Sequence, residues 1–237
     1  MRKVSALLVF SLLLGVVAPA QTKTTATLQA APPETAGFST ERLKRIDTML
    51  TGWVERGRTN GAVALIARNG KLVYHKAFGF DDPEKKDPIR TDDIYRIASQ
   101  TKAITSVAAM MLYEEGKFLL DDPLSLYLPE FAKPAVLDKF NAADSTYTTV
   151  PAKSEITIRQ LLTHTSGIGY AQIGNKEANA IYAKAGITAG IGAEDGHLLA
   201  ADMRKLGRLP LLHQPGERWT YGLNTDVLGY LVEVLSG

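Results

Sequence analysis

The stretch RIASQTKAIT places a serine, Ser99, three residues before a lysine, Lys102. On an α-helix, residues three apart lie on the same face, so the amine of Lys102 would stand beside the hydroxyl of Ser99. A serine hydroxyl becomes a useful nucleophile when a base takes its proton, and an amine can be that base only when it is neutral. Burial and a nearby cation can lower the pKa of a lysine from about 10.4 to about 7. The two residues could therefore be a nucleophile and its base.

The alternative is that Ser99 only caps the helix and that Lys102 lies on the surface, which would give the same S-x-x-K pattern. About one S-x-x-K is expected by chance in a chain of this length. The run SQTKAITSVAAMMLYEEG is apolar on most faces, which predicts a helix that begins near Ser99, ends at Gly116 and packs inside the domain. Such packing would keep Lys102 away from solvent. A serine in the first helical turn also has a free N–H at the positive end of the helix dipole, where an oxyanion could be stabilised.

The first twenty residues have the composition of an export signal. Arg2 and Lys3 precede an apolar run that ends in Ala-Pro-Ala, which predicts a signal peptide at residues 1–20 and a periplasmic or extracellular location. An uncleaved membrane anchor is the alternative reading, and no other segment could span a bilayer. Residues 21–36 are rich in Thr, Ala and Pro, so they are predicted to be a linker, with folding expected to start near Gly37.

Composition excludes several classes of function for the chain of 237 residues, which is long enough for one large domain or two small ones. Removal of the leader leaves 25 basic against 25 acidic residues, so no nucleic-acid partner is expected. The absence of cysteine excludes disulfides, thiolate metal sites and a cysteine nucleophile. His75, His197 and His213 lack any paired metal-ligand spacing, so neither a metal nor another cofactor is predicted.

Local patterns predict several elements that would position the candidate residues. Ser39 or Thr40 can cap a helix that ends at Gly57. The run GAVALIARNGKLVYHKAFGF predicts a hairpin whose turn is Asn69 and Gly70, because both residues tolerate a positive φ. Helices are also predicted in ITIRQLLTH and HLLAADMRKLG, and a loop in KPAVLDKFNAADSTYTTVPAKSE.

Four blocks occur in a fixed order: RIASQTKAIT, GKFLLDDPLSLYLPEF, ITIRQLLTHTSGI and QPGERWTYGLNTDVLGYLVEVLSG. Together they resemble the serine β-lactamase and penicillin-binding-protein superfamily, and within it the class C β-lactamases and family VIII carboxylesterases. The resemblance runs from about Gly37 to Gly237. It implies an α+β, serine β-lactamase/transpeptidase-like fold for residues 37–237, with an antiparallel sheet flanked by helices and a helical subdomain.

The resemblance also implies an acyl-enzyme mechanism, with Ser99 as nucleophile, Lys102 as its base and Tyr221 as the phenol that passes a proton to the leaving group. A phenol beside an ammonium group loses its proton more easily than in water, so the two could share acid and base duties. Without these neighbours, Tyr221 would be an ordinary half-buried tyrosine with a satisfied hydroxyl. The implied substrates are a small-molecule ester, a β-lactam or a D-alanyl peptide.

A departure from the family pattern in the second box changes the expected activity. The second box is usually Y-x-N, but Leu223 stands at the asparagine position and Asn224 follows one residue late. Leucine offers no hydrogen bond to a β-lactam side-chain amide, which favours a carboxylic ester hydrolase over a β-lactamase or D-alanyl-D-alanine carboxypeptidase.

The other class of function is a non-catalytic relative that binds an acyl or peptidoglycan ligand without turnover.

The third box of the superfamily, K-T-G, H-x-G or W-G-G, is not found, and the sequence stops at EVLSG, shortly after Tyr221. We therefore expect the C-terminal strands of the fold to be missing, apolar surface to be exposed and catalysis to be weak or absent. The rival expectation is that AGITAGIGAEDG completes the site.

His164 could be a base for Ser166, but no G-x-S-x-G elbow surrounds that serine. The alternative is that His164 lies at the end of a helix that is terminated at Gly167 and has no catalytic role.

Overall fold

The computed structural model describes residues 28–188, 190 and 198–237. The predicted signal peptide, the first part of the predicted linker, His197 and most of AGITAGIGAEDG lie outside the described residues. The chain divides into two compact units, Met1–Tyr95 and Arg96–Gly237. Within the described ranges, no helix is both long enough and apolar enough to cross a membrane.

The first unit consists of one helix and a small sheet. Its elements are β1 (Gln29–Ala30), α1 (Thr40–Glu55), β2 (Gly61–Arg68), β3 (Lys71–Asp82) and β4 (Asp87–Pro88). Strand β3 pairs antiparallel with β2 and β4 and parallel with β1.

Regular structure starts earlier than the sequence predicts. Strand β1 and a 3₁₀ turn at Pro33–Ala36 both lie within residues 21–36, the predicted linker. The register pairs Gln29 with Lys71 and Ala30 with Leu72. The edge of β3 thus supplies the hydrogen-bond partners of β1, and the composition of the segment alone could not reveal this tertiary contact.

The local predictions for this unit are confirmed. Asn69 and Gly70 connect β2 and β3 with φ values of 51° and 71°. The side chain of Ser39 accepts a hydrogen bond from the backbone N–H of Arg42 at 3.3 Å and so caps α1. The helix is followed by Gly57, which has a φ of 63°.

Asp47 ties α1 to β3. Its carboxylate accepts a hydrogen bond from the hydroxyl of the buried Tyr74 at 2.5 Å and another from Nζ of Lys76 at 2.6 Å. The hydrogen bond from Lys76, followed by the one from Tyr74, lowers the pKa of Asp47. Burial, followed by the Asp47 carboxylate, raises the pKa of Tyr74.

The second unit holds most of the buried side chains and is mainly helical. Its elements are α2 (Thr101–Glu114), β5 (Ala135–Asn141), β6 (Thr146–Pro151), α3 (Ile158–Leu162), α4 (Lys176–Lys184), α5 (Leu199–Leu206) and α6 (Asn224–Ser236). Helix α6 packs against α2, α3 and α5, and its inward face is apolar. The core therefore lies around α6, the helix that follows Tyr221.

Two elements of this unit contradict the sequence predictions. The stretch predicted to be a loop forms an antiparallel hairpin of β5 and β6, because β-branched residues such as those in TYTTV favour a strand. Helix α4 is not predicted at all. It begins after Asn175, whose side chain accepts from the N–H of Ala178, and it buries Ala178, Ile181 and Tyr182 on one face.

Helix α2 is only partly as predicted. Gly116 follows it with a φ of 71°, as expected, and Ala109 and Leu112 are buried. The prediction of packing on most faces is wrong, because three apolar side chains along the helix are more than half exposed: Ile104 (62%), Val107 (61%) and Met111 (57%).

Candidate active site

Ser99 lies in a 3₁₀ turn, Ala98–Gln100, that leads directly into α2. The preceding Ala98 has a φ of 45°, a left-handed conformation that alanine rarely adopts and that is found more often at functional sites than elsewhere. The side chain of Ser99 is exposed, whereas Lys102, in the first turn of α2, is half-buried. The expected burial of Lys102 is thus only partial.

Tyr221 lies in a backbone segment that is fixed against the residues after α3. The N–H of Thr220 donates to the carbonyl of His164 at 2.8 Å, and the N–H of Leu223 donates to the carbonyl of Gly169 at 2.9 Å. Gly222 has no room for a side chain, because a Cβ atom there would lie 2.0 Å from the carbonyl oxygen of Ile168. Close backbone packing therefore holds the main chain on both sides of Tyr221.

The structure brings the three predicted side chains together. Oγ of Ser99 lies 3.0 Å from the hydroxyl of Tyr221 and 3.5 Å from Nζ of Lys102. The same Nζ lies 5.0 Å from the centroid of the Tyr221 ring. A hydroxyl, a phenol and an amine thus share one location, and each can exchange protons with the next.

Nearby charges and burial change the acidity of the groups around Ser99. Lys102, followed by the hydrogen bond with Ser99, lowers the pKa of Tyr221. Burial raises the pKa of Asp226, in the first turn of α6, although Lys102 opposes this effect. Burial, followed by Lys102, lowers the pKa of His164. A more acidic phenol can act as a base at lower pH than a free tyrosine.

Aromatic rings surround the phenol. The His164 and Tyr170 rings stack against Tyr221, both with centroid separations of 5.4 Å, at interplanar angles of 17° and 4°. Trp219 is tilted against Tyr221 at 6.3 Å. Sequence reasoning gave Tyr170 no role, since its only signal is its position shortly after the THTSG motif.

Leu223 and Asn224, the two residues of the altered second box, are both fully buried. The Asn224 amide oxygen accepts from Oγ of Ser166 at 2.5 Å, and its nitrogen contacts Nδ1 of His164 at 3.0 Å. The amide is therefore used inside the protein. Because the hydroxyl of the buried Ser166 also bonds to Asn224 and not to His164, the geometry argues against a His164 and Ser166 pair.

Among the described residues, no group of three or more His, Asp or Glu side chains could hold a metal ion. His213 is buried and bonded through Nε2 to the hydroxyl of Thr220 at 2.8 Å, while His75 lies exposed on β3.

Comparisons with known proteins identify the family and the fold of the chain. The model of the Beta-lactamase family matches residues 46–237. Esterase EstB from Burkholderia gladioli is 37% identical over 193 residues, which are 81% of this chain and 45% of EstB. EstCE1, described as a hydrolase with promiscuous acyltransferase activity, has a structure that matches with a TM-score of 0.67 and 34% identity over 82% of this chain and 47% of its own.

The simvastatin synthase LovD from Aspergillus terreus matches with a TM-score of 0.65 and 30% identity, over 84% of this chain and 48% of LovD. The chain therefore spans about half the length of the relatives that it matches. The superfamily and the mixed α and β fold class predicted from the four sequence blocks are confirmed. The chain belongs to the Beta-lactamase family and has esterases and acyltransferases among its relatives.

Proposed function

We propose that the protein hydrolyses carboxylic esters through an acyl-enzyme formed on Ser99. The observation that carries this proposal is the single group made by Oγ of Ser99, the Tyr221 hydroxyl at 3.0 Å and Nζ of Lys102 at 3.5 Å. In the first step, Oγ of Ser99 bonds to the acyl carbon and the ester C–O bond breaks, so that an alcohol leaves. In the second step, water attacks the acyl carbon, releases the acid and restores Ser99.

Tyr221 and Lys102 move the proton during these steps. The resemblance gives the role of base to Lys102; because Lys102 lowers the pKa of Tyr221, we assign that role to the ionised Tyr221, which takes the proton of Ser99 and then delivers it to the departing alkoxide. Lys102 stabilises the phenolate, which agrees with its lowering of the pKa of Tyr221. The N–H of Ser99, near the start of α2, is suited to bind the oxyanion that develops on the substrate.

Burial of the second box favours esters over β-lactams. Neither the aliphatic side chain of Leu223 nor the amide of Asn224 is available to the side-chain amide of a β-lactam. An unpaired polar group on a bound β-lactam would cost affinity, whereas a simple ester requires no such partner. β-Lactams and D-alanyl peptides are therefore the alternative substrates.

Acyl transfer is a second candidate activity. The exposed side chain of Ser99 would leave an acyl-enzyme open to an alcohol as well as to water. EstCE1 is described as having acyltransferase activity, which supports this candidate. The two activities differ only in the molecule that accepts the acyl group, so added alcohol would divert product from acid to a new ester.

Reaction with a fluorophosphonate probe tests the proposed function. We expect the probe to label the protein at Ser99, and mass spectrometry of the labelled peptide would locate it. Hydrolysis of p-nitrophenyl butyrate compared with nitrocefin would then rank esters against cephalosporins. A folded protein that neither labels nor turns over any ester would instead support the non-catalytic ligand-binding alternative.

Export through a signal peptide at residues 1–20 remains part of the proposal. The basic start, the apolar run and the Ala-Pro-Ala ending support it. Expression of the whole chain in a bacterial host, followed by fractionation and N-terminal sequencing, is the test. A protein that begins at Gln21 in the periplasm is expected, and an uncleaved chain in the membrane would contradict it.

A further inference from the structure

The ring of His164 stacks on the phenol of Tyr221, but the proposed chemistry gives this histidine no task. The two ring centroids are 5.4 Å apart and the planes differ by 17°. His164 follows α3 and has a φ of 56°, a left-handed conformation that histidine adopts more readily than most residues. Its carbonyl accepts from the N–H of Thr220 at 2.8 Å, so its backbone also holds the segment that carries Tyr221.

A buried chain of hydrogen bonds fixes the orientation of the His164 ring. The N–H of Ile168 donates to Oγ of Ser166, and the Ser166 hydroxyl donates to the amide oxygen of Asn224. The amide nitrogen of Asn224 therefore faces Nδ1 of His164, at 3.0 Å. Ser166 and Asn224 are fully buried, so water cannot replace these bonds.

This arrangement also determines where the proton of His164 lies. Because Nδ1 accepts from an amide N–H, the neutral ring carries its proton on Nε2. A second proton on Nδ1 would face the amide N–H of Asn224.

The charged and titratable groups nearest to the His164 ring are Lys102 of α2 and Tyr221. Tyr170 and Asp226 interact in turn with Tyr221. Burial, followed by Lys102, lowers the pKa of His164. The ring is thus suited to stay neutral while Tyr221 and Lys102 exchange protons.

We propose that His164 is a positioning residue for Tyr221: its ring, held through Asn224 and Ser166, keeps the phenol hydroxyl beside Oγ of Ser99. The proposal rests on the proposed role of Tyr221 in the reaction. His164 touches neither the substrate nor the reacting oxygen of Ser99 in this scheme, and it acts only through the Tyr221 ring.

Two substitutions of the same residue test the role of the ring. His164→Asn tolerates the left-handed backbone and removes the ring, whereas His164→Phe keeps a ring and removes Nδ1. His75→Asn makes the same chemical change on the exposed face of β3 and is the matched control. The measurements are the fluorophosphonate labelling rate of Ser99 and the titration of Tyr221, followed by NMR of protein with ¹³C-labelled tyrosine.

In the folded His164→Asn variant, the phenol should leave Lys102 and Ser99, so the pKa of Tyr221 should rise toward the ordinary value of about 10. Labelling should slow by about tenfold to a hundredfold, since misplacing a reacting group by about 1 Å costs that much. His164→Phe keeps the ring contact but loses the bond to Asn224, so its rate should lie between those of the parent and His164→Asn, and His75→Asn should behave as the parent. An unchanged Tyr221 titration in His164→Asn would overturn the proposal.

The proposed function and this inference can fail separately. If the parent protein does not label at Ser99, the hydrolase proposal fails, while the Tyr221 titration still decides whether His164 positions the phenol. If His164→Asn does not fold, ¹⁵N NMR of the histidines in the parent protein provides the decision. The neutral ring of His164 should show the Nε2–H form with a titration midpoint below the ordinary value of about 6.5, and a raised midpoint or a neutral ring with its proton on Nδ1 would refute the inference.

Discussion

The hydroxyl of Tyr221 lies 3.0 Å from Oγ of Ser99, although the two residues are 122 positions apart in the chain. Ser99 enters the site from the turn before α2, and Tyr221 enters it from the turn before α6. The packing of α2 against α6 therefore sets the distance between them.

Ser99→Ala should abolish labelling by a fluorophosphonate and leave the fold intact. The change removes one exposed oxygen and places a good helix former beside α2. Labelling followed by intact-mass measurement gives the first result, and thermal unfolding gives the second. An alanine variant that labels as strongly as the parent would show that another residue is the nucleophile.

Lys102→Met should shift the pH dependence of labelling to higher pH. Lys102 is the largest cause of the lowered pKa of Tyr221, so its removal raises that pKa, and a larger hydroxide concentration is needed to form the phenolate. The rate at neutral pH should fall at least tenfold, and it should rise with pH toward the ordinary tyrosine pKa of about 10. Tyr221→Phe is the matched variant, which should lose this rise altogether.

If the labelling rate depends on pH in the same way in Lys102→Met and in the parent, Lys102 does not control the ionisation of Tyr221. Tyr127→Phe is a suitable control, because the hydroxyl of that tyrosine bonds to Asp122, whereas the hydroxyl of Tyr221 bonds to Ser99. Its profile should match that of the parent.

Esters with short acyl chains should be hydrolysed with a higher kcat/KM than cephalosporins. The expected cause is the burial of Leu223 and Asn224, which leaves no second-box amide for the substrate. Parallel assays with p-nitrophenyl butyrate and nitrocefin measure the ratio directly. If nitrocefin is the better substrate, the protein acts as a β-lactamase.

Asp47→Ala should destabilise the protein by about 1–3 kcal/mol, because the change leaves the hydroxyl of the buried Tyr74 without its acceptor. Asp47→Asn retains an acceptor for Tyr74 and loses only the ion pair with Lys76, so it should cost about 1 kcal/mol or less. Urea unfolding of the three proteins at neutral pH measures both differences.

The Asp47 contribution should also depend on pH. The folded-state pKa of this carboxylate is lowered, so its stabilising effect is fully present above its unfolded pKa of about 4 and is lost as the pH falls through the folded value. The stability difference between the parent and Asp47→Ala should therefore shrink below about pH 4. A difference that is constant from pH 7 to acid would mean that the charge on Asp47 has no effect.

Polar substitutions on the exposed face of α2 should weaken the binding of a hydrophobic dye to the protein without reducing the stability of the fold. Val107→Gln and Met111→Gln replace side chains that are more than half exposed, so little buried apolar area is lost. We expect free energies of unfolding within about 0.5 kcal/mol of the parent and weaker binding of a hydrophobic dye. As a control, Leu112→Gln on the buried side of the same helix should unfold the protein.

Much of the fold could be predicted because local chemistry determines it. The turn at Asn69 and Gly70 and the cap at Ser39 depend on residues next to each other, and both are found where predicted. Strand β1, by contrast, depends on the distant edge of β3. The exposed face of α2 was not predicted for the same reason, since an apolar pattern does not say which neighbours are available to cover it.

The three predicted site residues are brought together, but the sequence could not reveal their surroundings. Ser99 and Lys102 are near in sequence, so helical spacing is enough to place them side by side. The environment of Tyr221 comes from three segments that are far apart in the sequence, and the family pattern marks Asn224 only as a displaced second-box residue, with no link to His164. A motif thus identifies reactive groups, whereas the hydrogen bonds that orient them require the folded chain.

The buried bond between Ser166 and Asn224 has a consequence for hydrogen exchange. The N–H of Ile168 donates to Ser166 in a region without solvent access, so this amide should exchange only when the whole unit unfolds. Ser99 is exposed in the 3₁₀ turn before α2, and the ends of helices open locally at much lower free energy. The segment that carries Tyr221 should therefore be better protected from exchange than the turn that carries Ser99, so the phenol is held more firmly than the serine that it contacts.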